Sequence, residues 1–199
     1  MEFTHHRTVT VVAILLIIAA LTQSVYTALY VAKLDVPRQL LWGSEGVLFA
    51  ILAALAGTAM VKSKGLTLVF SAIAFSAALN VVQVGVGLTL FGPFGDAADT
   101  TPALAPLAGA IVDYSFFVYN AAKLLLGLAA LLVGLSRMAS GSKLLGGASA
   151  LFGGLAMIAK GGKMVAGGDL IAGVPLAGGT GVLATLLLSA CLLGVAKDD

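Results

Sequence analysis

Six apolar runs, each long enough to cross a bilayer, leave this chain few ways to fold. They cover about 8–32, 40–61, 66–91, 108–136, 143–165 and 172–196. At 1.5 Å per residue, about 20 helical residues span a hydrocarbon core of roughly 30 Å. Inside lipid every backbone N–H and C=O must find its partner within the protein, so only helices or a closed barrel can form there. A barrel needs short strands of alternating polarity, and runs such as Val9–Leu21 do not alternate. The sequence therefore predicts an all-α, six-helix membrane bundle forming a single membrane domain over 1–199. The links are too short for a soluble domain.

Composition agrees. The 199 residues are 60% hydrophobic and 10% charged, outside the range of soluble domains. A net charge of +2, with no basic cluster above two residues, gives no footprint for nucleic acid. The uncharged run Thr8–Ala32 exceeds the apolar segment of a signal peptide and reads as the first helix. Gly92–Leu107 carries Pro93, Pro102 and Pro106 and reads as an ordered loop. Lysine and arginine counts set the orientation. With the N-terminus inside, Arg7, Lys62, Lys64, Arg137, Lys143 and Lys197 fall inside and Lys33, Arg38, Lys160 and Lys163 outside. That bias puts both termini in the cytoplasm, the 92–107 loop outside, and the protein in the plasma (inner) membrane.

The fourth run holds the sharpest signal. Asp113, Asn120 and Lys123 interrupt an otherwise apolar stretch from Ala108 to Arg137. Lys123 lies roughly 21 Å from either end, at mid-membrane. A lipid-facing ammonium there costs at least ~2.5 kcal/mol. Asp113, Phe116, Asn120, Lys123, Gly127 and Gly134 fall within about 80° around the helix, so this face is expected to look into protein.

Other runs add polar stripes at the same depth. Helix one offers Gln23, Tyr26, Thr27 and Tyr30, helix two Trp42 and Glu45, and helix three Ser76, Asn80 and Gln83. The inner halves Val11–Ala20, Ala50–Val61 and Leu124–Gly134 carry nothing ionisable. The pattern predicts an outward vestibule closed below by apolar packing. Its candidate ligand-binding residues are Lys123, Asn120, Asp113, Glu45, Asn80, Gln83, Tyr26 and Tyr30. Against this stands a structural reading in which Lys123 forms an ion pair with Glu45, or hydrogen bonds to Asn120 and Tyr119.

Neither a cofactor nor a metal is expected. Cys191 is the lone cysteine, and His5 and His6 are adjacent rather than spaced as ligands. No nucleophile-elbow, phosphate-loop or zinc-protease motif occurs, so a non-enzymatic role is expected. From Gly141 to Gly181 there are thirteen glycines in 41 residues. Their seven-residue recurrence predicts a close-packed face on helix five, and their density after Gly161 predicts a break, with 160–175 a loop or re-entrant turn.

Two functions follow as expectations. One is binding, with transport as its natural use, of a polar or anionic small molecule or lipid-like amphiphile. The other is a non-catalytic accessory subunit, in a homo-oligomer or larger membrane complex, docking through the glycine-rich fifth helix.

Overall fold

The computed structural model describes residues 4–34, 37–167 and 176–198; the side chains at 30–31, 176–178 and 197–198 lie outside that description. Six helices form: α1 His5–Val31, α2 Arg38–Lys62, α3 Thr67–Thr100, α4 Ala105–Ala139, α5 Lys143–Ala166 and α6 Leu176–Asp198. All six contain a segment apolar and long enough to cross a membrane. The chain is a multi-pass integral membrane protein with an all-α bundle.

The helices close a ring. α1 packs on α2 and α6, α2 on α3, α3 on α4, and α4 on both α5 and α6, with α5 against α6. The backbones of α1 and α4 do not meet. In one half of the bundle the middle is filled by apolar side chains, among them Leu16, Phe49, Leu52, Phe70, Ile73 and Leu188, each at most 1% exposed. Outward faces are apolar too: Leu144 and Val165 of α5 are each 91% exposed, as helices facing lipid require. Some buried hydroxyls are satisfied within their own helices, as where Ser189 donates to the Thr185 carbonyl at 2.8 Å.

Two boundaries differ from expectation. The 92–107 stretch is mostly helical: α3 runs on through Pro93 to Thr100, and only the short 3₁₀ turn Pro102–Leu104 separates it from α4. Proline removes a single N–H donor, and Pro93 is exposed, where water can serve the carbonyl left over. Pro102 falls at the break as expected, whereas Pro106, expected in the loop, sits in the first turn of α4, where its missing N–H has no helical partner to lose. At 34 and 35 residues, α3 and α4 are each about 50 Å long and overreach a ~30 Å core.

The second difference is in α5, which passes Gly161 and Gly162 unbroken and ends at Gly167, whose φ of 70° is the left-handed cap that glycine favours. Glycine is tolerated inside membrane helices, and this helix is also held by its packing. Gly146 and Gly153 of α5 lie against Gly134 and Gly127 of α4. A Cβ on Gly153 would stand 2.7 Å from the Gly127 carbonyl oxygen, and one on Gly146 would stand 2.6 Å from that of Gly134. Between them Ser149 donates to the Ala130 carbonyl at 2.9 Å. This glycine face is thus spent on α4 within the chain. The part of the expected turn at 168–175 lies outside the described residues.

Candidate functional site

The other half of the bundle holds a cavity of about 440 Å³ between α1, α2, α3 and α4. Helical spacing decides which side chains reach it. On α2 the positions i, i+4 and i+7 share a face, and these are Arg38, Trp42 and Glu45, all lining the cavity. On α4 the same rule brings in Val112, Phe116 and Tyr119.

One wall is aromatic. The rings of Tyr26 and Trp42 are 5.3 Å apart and inclined at 54°, and Phe91 meets Trp42 edge-on at 6.1 Å. Trp42 fits because Gly87 faces it across α3: a Cβ there would come within 2.9 Å of Trp42 Cε3. Gly46 similarly lies beside Val84. These two contacts fix the antiparallel register of α2 and α3 and put Glu45 level with Gln83.

The floor is polar. Lys123, 4% exposed, donates to Gln23 Oε1 at 2.6 Å. Its ammonium also lies 5.3 Å from the Tyr119 ring centroid and 5.9 Å from that of Phe49. Lys160 of α5, 3% exposed, stands 4.6 Å over the same Tyr119 ring. Gln23 and Tyr119 line the cavity while both lysines lie behind them. Glu45 is 7% exposed, with the Thr22 hydroxyl beside it, yet its Oε1 is buried with no hydrogen-bond partner. Gln83 donates from Nε2 to Ser115 Oγ at 3.4 Å. Below this floor comes the apolar core.

The eight expected residues are divided by the structure. Glu45, Gln83 and Tyr26 line the cavity. Lys123 and Asn120 are buried but stand behind the lining. Asn80, fully buried, donates to the Ser76 carbonyl at 2.9 Å within its own helix, and its Oδ1 has no partner. Asp113 is exposed and apart from the lining. The Tyr30 side chain lies outside the described residues. The alternative ion pair is not formed as expected, since Lys123 turns to Gln23 and leaves Glu45 Oε1 unpartnered.

Sequence reasoning missed Arg38, Phe91, Ser115, Tyr119 and Lys160 as site residues. Arg38 and Tyr119 had a usable signal, lying seven residues from Glu45 and Val112 on their faces. Among the described residues no three of His, Cys, Asp and Glu come together, so the cavity offers amides, hydroxyls, one carboxyl and one guanidinium.

No family model, curated protein or solved structure matches the chain.

Proposed function

We propose that the protein binds a small amphiphile in this cavity, polar group toward the floor and apolar body along the aromatic wall, with transport as the use of such binding. The observation that supports it is the cavity itself. A volume of about 440 Å³ is in the range of small-molecule sites, as is an apolar lining with a few convergent polar groups. Arg38 at the α1–α2 end provides the one cation of the lining and would suit an anionic group on the ligand. The mouth then opens outward across the plasma membrane, following the lysine and arginine bias, and the apolar core beneath Gln23 and Lys123 forms the inner seal.

The test is a thermal-unfolding screen in non-ionic detergent with short amphiphiles of different head groups. Binders raise Tm in the wild type and lose that effect in Gly87→Leu, whose side chain pushes Trp42 into the cavity. Stabilisation by the same compounds in Gly87→Leu would place binding elsewhere.

A further inference from the structure

The chemistry of the floor goes further than its shape. A buried polar atom without a partner costs about 1–3 kcal/mol; Glu45 lines the cavity, and its Oε1, buried at the edge of that lining, is such an atom. It is an acceptor, so it asks for a donor. Gln83 stands level with it across the α2–α3 seam and turns its amide nitrogen to Ser115, which leaves the oxygen as its other polar end. The rings of Tyr26 and Trp42 line the same space, and aromatic faces attract cations. By charge alone, two lysines nearby favour an anion instead. Their ammonium groups, however, are directed at Gln23 and Tyr119 and do not line the cavity. The deep end of the lining thus presents the Glu45 carboxyl and the Gln83 amide oxygen beside the Gln23 amide NH₂, and neither lysine.

We propose that the deep end of the cavity is an amine site, in which the Glu45 carboxylate and Gln83 Oε1 accept hydrogen bonds from the ammonium of an amphiphile. This rests on the cavity being a binding site and names the head group it takes. The ligand's apolar body lies along Tyr26, Trp42 and Phe91. Arg38 is seven residues above Glu45 on the same face, about 10 Å along α2. It meets the ligand's outer end and favours an acceptor there.

Trp42 is the single tryptophan of the chain, so its fluorescence reports occupancy without a label. The purified protein in non-ionic detergent at neutral pH is titrated with hexylamine, hexanoate and hexanol, which share a tail and differ in head group. Hexylamine is expected to bind saturably and about tenfold more tightly than the other two, since a charge-assisted pair is the stronger hydrogen bond. Glu45→Gln should remove that preference and leave hexanol within about twofold of wild type. Gln83→Leu, which keeps the carboxyl, should weaken hexylamine several-fold and serves if Glu45→Gln does not fold.

Tighter binding of hexanoate or hexanol, or hexylamine affinity indifferent to both substitutions, would overturn the amine assignment and leave the cavity reading standing. No saturable response to any of the three would overturn both.

Discussion

Lys123 on α4 reaches across the bundle to Gln23 on α1, and their 2.6 Å hydrogen bond joins two helices whose backbones do not pack together. An ammonium only donates, so it fixes the Gln23 amide with its oxygen toward Lys123 and leaves its NH₂ as the group free to face the cavity. Lys123, a candidate ligand anchor in the sequence, thus stands behind the Gln23 amide and not in the cavity lining.

That relationship predicts an asymmetric mutant cycle. Gln23→Leu strips a buried ammonium of its acceptor and should destabilise by about 1.5–3 kcal/mol. Lys123→Met removes the charge itself and should hold or raise Tm, and the double variant should recover what Gln23→Leu loses. Pairing Lys123→Met with Glu45→Gln should give a coupling below about 1 kcal/mol, because no direct ion pair joins them. Thermal unfolding in detergent for wild type, the three single variants and the two doubles decides it. A larger coupling to Glu45 than to Gln23 would restore the ion-pair reading.

Gly87 predicts a spectroscopic effect. Gly87→Ala sets a methyl 2.9 Å from Trp42 Cε3, so the indole must swing into the cavity. Emission from Trp42 should shift, and stability should fall by about 1–3 kcal/mol from overpacking. Gly85→Ala, two residues away with nothing within 4 Å, should leave the spectrum unchanged. Identical spectra for both variants would mean that the ring does not rest on Gly87.

Hydropathy alone carried the six helices into view, because in lipid an apolar run of this length has little choice but helix. Depth was legible in part: Gln23, Tyr26, Trp42, Glu45 and Gln83, from the polar stripes of three helices, do line one cavity. Which polar residues share the cavity was less legible, since angle around a helix says nothing of how far its neighbour extends. Asp113 illustrates this. Gly161 lies against Leu124, and α5 ends five residues later at Ala166, about 8 Å further along. Asp113 is eleven residues from Leu124, about 16 Å, and so stands beyond the end of α5. Lys160 was obscured by the glycine pair after it. Yet Gly146, Gly153 and Lys160 recur every seven residues, and continuing that row through the pair would have placed Lys160 inside.

The burial of Lys160 also sharpens orientation, since it leaves the count of exposed cations at the α3–α4 end. Cysteine in place of Asp99 or Thr101, both exposed, should label with an impermeant maleimide on intact cells. Cysteine in place of Ser140, exposed at the opposite end, should label only after permeabilisation. Native Cys191, 0% exposed, should stay silent in both. The reverse pattern would turn the cavity mouth toward the cytoplasm.

The glycine-rich helix makes the most direct prediction, because two adjacent glycines there have opposite surroundings. A Cβ on Gly153 would stand 2.5 Å from the Leu131 nitrogen and 2.7 Å from the Gly127 oxygen. Both are backbone atoms held in a helix, so neither can yield as a side-chain tip would. α4 and α5 must separate, weakening the Ser149 bond to Ala130 and the small-residue seam on either side. Gly153→Ala should therefore cost about 1–3 kcal/mol, and Gly153→Leu should abolish the fold. Gly154 has nothing within 4 Å, and Gly154→Ala should lie within about 0.5 kcal/mol of wild type. Gly127→Ala combined with Gly153→Ala should cost less than the sum of the two, since one separation relieves both clashes. Thermal unfolding and size-exclusion profiles in detergent supply the measurement. Equal tolerance at 153 and 154 would show that α5 is not seated on α4. A loss of assembly at Gly154→Ala, with the protomer still folded, would move the docking face to the outer glycine row.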